Sequence, residues 1–278
     1  MFPRLGFGLG LRPPHYEDVR TGTPDVDWWE VITENFLGAG GNPRRVLRAV
    51  RERWPVVLHG VSLSIGSVDP VDDDYLARVA ALIAEIDPPI VSDHLCWSGL
   101  GGHSAHDLWP LPYTDEALAL VVDKVGRVQD CLGRRILLEN ASSYVTFTAS
   151  HIPEAEFLAE VARRADCGIL LDVNNVYVSS TNHHWDPAAY LAAIPVERVG
   201  QIHLAGHTDH GSHLLDTHDH PVCDPVWALY AEALARFGPV STMIERDDHL
   251  PPLAELIDEL DHARRIAASP AARQVADG

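Results

Sequence analysis

The stretches RILLEN (135–140) and GILLDV (168–173) are short apolar runs that each bring a carboxylate to their end. Runs of this length and composition are typical of strands that are buried on both faces of a sheet. A helical pattern at 153–165 lies between them. Two buried strands joined through a helix form a unit with parallel strands, so this part of the chain predicts an α/β fold.

The same alternation continues in both directions along the chain. Eight apolar runs predict strands, at 6–11, 28–32, 56–60, 90–95, 135–140, 168–173, 200–206 and 242–246. Helical patterns lie between most of them or after them, at 43–53, 73–86, 114–132, 153–165, 187–194, 225–236 and 251–267. This is the count of a (β/α)8 TIM barrel, which we predict, with an open doubly wound sheet as the alternative.

Composition and charge limit the class of protein. The chain has 278 residues, of which 46% are hydrophobic, and we expect one catalytic domain over 1–268 with a flexible tail at 269–278. Forty acidic against 21 basic residues give a formal charge of −19, which disfavours binding to nucleic acid or to an anionic membrane. The first residues contain no apolar run long enough for a signal peptide or a membrane span, so we expect a cytoplasmic protein.

Residues with metal-binding side chains lie at the ends of six predicted strands: His59, His94, Glu139, Asp172, His203 and Glu245. In a barrel the C-terminal ends of all strands face one mouth, so these side chains would converge there. Any one of them alone is more often a helix cap or an ordinary buried residue. Together they are too costly to bury without a compensating charge, which divalent metal ions would supply.

The segment LLDTHDHPV (214–222) follows the seventh predicted strand and would enter the same mouth. Asp216 and His218 are two positions apart, so in extended chain both can point the same way, and we add them to the predicted ligands. Asp219 and His220 either orient His218 or form a turn. The histidines outside this set are predicted to lie in loops or on helix surfaces: His15, His103, His106, His151, His210, His213, His249 and His262. For His183 and His184 a solvated loop is favoured over the mouth.

The predicted donors are oxygen and nitrogen atoms without an obligatory thiolate. The four cysteines lie far apart with no C-x-x-C pair, which indicates neither a thiolate zinc site nor a disulfide framework. Oxygen and nitrogen donors suit iron, manganese or zinc. Eight or nine such groups exceed what one ion uses, so we predict a multinuclear site bridged by Glu139 or Glu245.

Nearly the whole chain resembles the multinuclear non-heme iron-dependent oxidative enzymes, formerly an uncharacterised domain family (DUF692). The resemblance is carried by GFGLGLRPPHY, WWEVITENFLG, LHGVSLSIGS, VSDHLCWSG, LLENASSYV, LLDVNNVYVSS, IHLAGH, DTHDHPV and IERDD. This family is related to the barrel subunit of methanobactin biosynthesis. It is similar to xylose isomerase-like barrels, which include three-zinc apurinic endonucleases.

The ligand order of these barrels implies nine metal-binding positions here: His59, His94, Glu139, Asp172, Asn175, His203, Asp216, His218 and Glu245. The carboxylates Glu139, Asp172, Asp216 and Glu245 are the predicted catalytic residues. Asn175 stands where the pattern has a histidine, which leaves two or three ions as alternatives. Asn175 and the negative charge of the chain both argue against the zinc nuclease activity.

The resemblance implies an oxidoreductase that modifies cysteine residues in a ribosomally made precursor peptide. Its cofactors would be two or three iron ions in a mixed Fe(II)/Fe(III) state, with O2 as co-substrate; zinc or manganese is an alternative in protein as isolated. A partner protein that delivers the peptide is also implied. The fold does not predict which cysteine modification is made. The alternatives are a divalent-metal (Zn, Mn or Mg) isomerase or hydrolase that uses a metal-bound hydroxide, and a metal-binding protein without chemistry.

Overall fold

The computed structural model, which describes residues 2–38 and 40–269, confirms the barrel. Its eight parallel strands are β1 (Phe7–Gly10), β2 (Trp28–Ile32), β3 (Val56–His59), β4 (Val91–His94), β7 (Leu137–Glu139), β8 (Gly168–Asp172), β9 (Val199–Leu204) and β12 (Ser241–Ile244). The sheet closes because β1 pairs with both β2 and β12, and Leu9 lies opposite Trp29 on one side and Ile244 on the other. This closure excludes the open doubly wound sheet.

Two short hairpins lie outside the barrel. They are β5 (Trp97–Leu100) with β6 (His103–Trp109), and β10 (Thr208–Asp209) with β11 (Leu214–Leu215). Neither hairpin was expected from the sequence. Both follow barrel strands, β4 and β9, and therefore stand on the side of the barrel where the C-terminal strand ends meet.

The helices of the described ranges are α1 (Tyr16–Thr21), α2 (Asn42–Arg51), α3 (Asp73–Ile86), α4 (Asp115–Leu132), α5 (Glu154–Arg164), α6 (Val173–His183), α7 (Pro187–Ala193), α8 (Asp224–Phe237) and α9 (Leu253–Ala267). The seven predicted helices agree with these bounds to within two residues. Thr114 accepts a hydrogen bond from the N–H of Ala117 at 3.2 Å and so caps α4. None of these helices is long and apolar enough to cross a membrane. Of the predicted tail, 270–278 lie outside the described residues.

The sequence did not predict α6, and the structure explains why. Asn, Ser and β-branched residues, which favour helices weakly, make up most of it. Both its apolar and its polar residues are buried, so it lacks the one-sided apolar pattern by which a helix is recognised. It begins at Asp172, whose carboxylate accepts the N–H of Asn175 at 2.6 Å. The short α1 was also missed.

Two layers of side chains fill the barrel. The N-terminal layer is apolar and buried, formed by Trp28, Val57, Ile90, Leu137, Leu170 and Met243. Residues two positions further along a strand point to the same face. The next layer is therefore made of Glu30, His59, Ser92, Glu139, Asp172 and Glu245, all of them buried. Strand alternation alone thus stacks an ionisable layer on an apolar floor at the mouth of the barrel.

Candidate metal centre

The last residues of β3, β4 and β7 form a first group of ligand atoms. Nε2 of His59 and Nε2 of His94 lie 3.2 Å and 3.3 Å from Oε2 of Glu139. Nδ1 of His59 lies 2.8 Å from Ser92 Oγ, and Nδ1 of His94 lies 3.1 Å from the carbonyl oxygen of Gly60. Since a carbonyl oxygen only accepts, neutral His94 carries its proton on Nδ1 and turns the Nε2 lone pair toward the carboxylate. Such a contact is favourable when a cation lies between the two atoms.

A second group surrounds the other oxygen of Glu139. Nδ1 of His203 lies 3.8 Å from Glu139 Oε1 and 2.8 Å from Glu245 Oε2. Asp172 completes the group, and the candidate ligand atoms of all four residues lie within 4.8 Å of one another. Glu139 therefore belongs to both groups, one oxygen facing each, which is the arrangement of a bridging carboxylate.

The segment LLDTHDHPV brings a third group to the mouth. Nε2 of His218 lies 2.7 Å from Asp216 Oδ1, and its Nδ1 lies 3.5 Å from Glu245 Oε2 and 3.3 Å from Asp247 Oδ2. Glu245 thus joins the second group to the third. Asp219 instead contacts Thr217 and the Nδ1 of its neighbour His220, at 2.6 Å for the latter, and the backbone bends at His218 and His220.

Asn175 lies in the same cavity as these groups. This cavity has a volume of about 180 Å3, and its lining also includes His59, His94, Asp216 and His218. The side-chain amide of Asn175 donates a hydrogen bond to the carbonyl oxygen of Asn140 at 3.0 Å. The amide oxygen is left free for another partner. An asparagine at this position therefore offers an oxygen donor where a histidine would offer nitrogen.

Several buried atoms of the predicted ligands have no hydrogen-bond partner within the described part of the chain. They are Glu139 Oε2, Asp172 Oδ2 and Asn175 Oδ1. Leaving a buried polar atom unpaired costs about 1–3 kcal/mol, so such atoms are rare and call for a reason. A divalent cation is a partner for oxygen donors of this kind. The residues present therefore fit a multinuclear metal centre.

The shifted pKa values of the site residues also support a bound cation. Burial, followed by the neighbouring imidazoles, lowers the pKa of His59 well below its usual value, so the ring stays neutral and keeps a lone pair. Burial also raises the pKa of Asp172 to about 7 and that of Glu139 well above the ordinary range. The neighbouring carboxylates outweigh burial and raise the pKa of His203 and His218 well above the usual value, so these rings carry protons that a bound divalent cation would displace.

Sequence reasoning missed a fixed positive charge beside the site. Arg12, which is buried, lies 3.5 Å from Glu245 Oε1 and donates from Nε to Asp247 Oδ1 at 3.2 Å. Burial alone would lower the pKa of Arg12, but the carboxylates of Asp247 and Glu245 outweigh it and raise this pKa. Burial would likewise raise the pKa of Glu245, yet His203 and its neighbours hold it well below the usual value. Glu30, a single charged residue within the apolar run WWEVI, was missed as well.

A second, larger cavity lies next to the metal-binding groups rather than around them. It has a volume of about 550 Å3 and lies between the loop after β7 and helices α5 and α7. Ser142 and Tyr144 line the smaller cavity, whereas Val145 and Phe147 line the larger one, so the two share the wall 142–147. Tyr144, Val145, Phe147 and Trp185 are all exposed apolar side chains at this rim, 36–46% accessible. We call the larger cavity the apolar groove.

Comparison with known proteins identifies the family. The model of a family described as RiPP precursor modification enzyme MbnB/TglH/ChrH matches residues 6–268, where RiPP denotes a ribosomally synthesised and post-translationally modified peptide. The chain belongs to this family. The UPF0276 protein Anae109_1558 of Anaeromyxobacter sp. (strain Fw109-5) is 60% identical over 265 residues, 95% of this chain and 94% of that protein. A UPF0276 protein of Caulobacter vibrioides (strain NA1000 / CB15N) is 58% identical over 263 residues, 94% of each. The family resemblance seen in the motifs is confirmed.

Solved structures confirm the barrel type. D-psicose 3-epimerase from Clostridium cellulolyticum H10 aligns with a TM-score of 0.59 at 13% identity, covering 98% of both chains. Endonuclease IV from Thermus thermophilus aligns with a TM-score of 0.57 at 17% identity, covering 95% of this chain and 98% of that one. At these identities the likeness shows the fold alone, a xylose isomerase-like TIM barrel.

Two predictions about histidines outside the site were wrong. His15 is buried rather than exposed, and its Nε2 lies 2.8 Å from the carbonyl oxygen of Pro251. His183 ends α6 rather than lying in a solvated loop, with Nε2 2.9 Å from Ser143 Oγ. Each contact joins segments far apart in the sequence, so neither was visible in the local pattern.

Proposed function

We propose that this RiPP modification enzyme carries out an iron-dependent, O2-using oxidation of cysteine residues in its precursor peptide. The observation that carries the proposal is the chain of three ligand groups joined by Glu139 and Glu245, together with the unpaired buried atoms that line it. Membership of the family supports a precursor peptide as the substrate. The metal, the oxidant and the cysteine are the parts that we propose.

We assign the ions to the ligand groups as follows. A first ion would be held by His59, His94 and Glu139, and a second by Glu139, Asp172, His203 and Glu245. A third position would draw on Asp216 and His218, with the amide oxygen of Asn175 in place of an imidazole. Nitrogen and carboxylate donors without thiolate suit iron and leave room for a thiolate from the substrate.

When bound, the iron ions would supply redox chemistry with O2 and a binding position for the substrate thiolate. The chain's own residues prepare the site for it. Ser92 and the Gly60 carbonyl hold the two imidazoles of the first group in orientation. Arg12 balances the charge of Glu245. The apolar layer below excludes water from that side, so the reaction would proceed above a low-dielectric floor.

The sizes of the two cavities suggest that they bind different parts of the precursor peptide. At about 180 Å3 the cavity at the metal-binding groups suits one small side chain such as cysteine, and not a peptide segment. The apolar groove adjoins it across the wall 142–147 and presents the exposed side chains of Val145, Phe147 and Trp185. We assign the groove to the apolar residues of the precursor peptide that flank the reacting cysteine.

The test is a reconstitution with a cysteine-bearing precursor peptide, to be sought among the short reading frames beside the gene. Protein loaded with Fe(II) without oxygen is mixed with the peptide, exposed to air, and the peptide mass is measured. We expect a mass change that requires both iron and O2, and none when the cysteine is replaced by serine or when Asp216→Asn is used. An equal mass change with zinc-loaded protein under argon would contradict the proposal.

A further inference from the structure

Glu30 is a buried carboxylate that none of the roles above uses. It lies on β2 in the ionisable layer of the barrel and is 1% exposed. Its Oε1 and Oε2 lie 3.1 Å and 3.2 Å from Nε2 of His203, which is itself fully buried on β9. The two strands are not neighbours, so this contact crosses the interior of the barrel.

The two nitrogens of His203 face different partners. Nδ1 faces Glu245 and Glu139, the proposed ligands, whereas Nε2 faces Glu30. A ring that gives its Nδ1 lone pair to a cation must carry its proton on Nε2. The carboxylate of Glu30 accepts that proton in a hydrogen bond. The amide nitrogen of Gln201 lies 2.8 Å from the same Nε2 but can only donate, so Glu30 is the group there that accepts an N–H, and it favours the tautomer that leaves Nδ1 available.

The carboxylate of Glu30 is itself held in place. The amide of Gln201 donates to Glu30 Oε2 at 2.6 Å. Gln201 and His203 are two positions apart on β9, so both point into the barrel and both reach the same carboxylate. Burying a carboxylate costs several kcal/mol, which an apolar side chain at this position would avoid. Packing alone therefore does not explain a glutamate here.

We infer that Glu30 is a positioning residue of the metal centre, acting through His203 on the ion shared by Glu139, Asp172 and Glu245. This inference rests on the proposed function, because it needs an ion at that position. A carboxylate that holds the far nitrogen of a ligating imidazole fixes the ring and makes it a stronger donor, and its loss lowers metal affinity about 10–100-fold.

The test measures metal affinity without turnover. Glu30→Gln, Glu30→Ala and wild type are titrated anaerobically with Co(II) against a competing chelator, recording the visible spectrum and the bound equivalents. We expect Glu30→Ala to bind one equivalent about 10–100-fold more weakly with an altered spectrum. Glu30→Gln should lose less, because an amide oxygen still accepts the N–H. Glu154→Gln is the matched control: Glu154 is also buried and accepts from the hydroxyls of Tyr113 and Tyr190, each at 3.0 Å, away from the centre.

A second pair of variants separates a positioning role from a structural one. If Glu30 acts through His203, Glu30→Gln in a His203→Ala background should cause no further loss of affinity. An additive loss in the double variant, or wild-type affinity and spectrum in both Glu30→Ala and Glu30→Gln, would overturn the inference while leaving the metal centre intact. Failure of the wild type to bind Co(II) or Fe(II) would overturn both. If Glu30→Ala does not fold, the Co(II) affinity and spectrum of Glu30→Gln are used to test the inference.

Discussion

Replacing the bridging Glu139 by glutamine should change stability in opposite directions with and without metal. In the metal-free protein the side chain is 1% exposed, and burial, together with the carboxylates of Asp172 and Glu245, raises its pKa well above normal. Replacing a buried charged group by a neutral one of similar shape often stabilises a protein by about 1–4 kcal/mol, so we expect metal-free Glu139→Gln to be more stable than wild type by an amount in that range.

The metal-loaded protein should respond in the reverse way. Each ion at about 100 times its dissociation constant stabilises the folded state by about 2.7 kcal/mol. The two oxygens of Glu139 face two ligand groups, so the loss of this carboxylate weakens the binding of two ions rather than one. We therefore expect metal-saturated Glu139→Gln to lose about 5 kcal/mol of ion-derived stabilisation, which exceeds the gain in the metal-free form.

The assay is guanidinium unfolding of both proteins, anaerobically, with chelator or with excess Fe(II), alongside elemental analysis of bound iron. The free energies of unfolding then show whether Glu139→Gln is more stable than wild type without metal and less stable than wild type with metal. The reasoning is refuted if Glu139→Gln retains wild-type iron content, or if its metal-free form is less stable than metal-free wild type. His203→Gln serves as the control, because it removes a ligand of the second group only.

The remaining predictions concern other parts of the molecule. His59→Ala or Glu245→Ala should lower bound metal by at least one ion per chain in elemental analysis, while circular dichroism still reports a folded barrel. Burial raises the pKa of Glu154 to about 7 from an ordinary 4.5, so the folded state holds a proton that the unfolded chain has lost. Stability of the metal-free protein should therefore fall by up to about 3 kcal/mol as pH rises from 4.5 to 7, and in Glu154→Gln that part of the slope should vanish in urea titrations. In the apolar groove, Phe147→Ala should weaken precursor-peptide binding about 10-fold by calorimetry, whereas Val68→Ala, at an exposed site outside the groove, should not.

The strand ends explain why so much of the site was predictable. Glu139 and Asp172 each end an apolar run, so the local pattern places them at the same end of parallel strands before any contact is known. The barrel then follows from the number of such units, and convergence of the side chains follows from the barrel. Asp216 and His218 were added to the predicted ligands because of their spacing of two.

The residues that support the site were not predictable in this way. Glu30 meets His203 across 173 positions of sequence, and Arg12 meets Asp247 across 235. Such pairings arise only when the sheet closes, and each partner alone looks like an ordinary charged residue near a strand. Helix α6 was not predicted for a related reason. Neighbouring elements bury both its apolar and its polar residues, so its sequence lacks the one-sided apolar pattern of a surface helix.

The proposed centre contains at least two iron ions joined by a carboxylate. Mössbauer spectroscopy of protein loaded anaerobically with 57Fe(II) and then partly oxidised tests this most directly. We expect two or more irons per chain with magnetic coupling between them, and loss of that coupling in Glu139→Gln. A single uncoupled iron site, unaffected by Glu139→Gln, would contradict it.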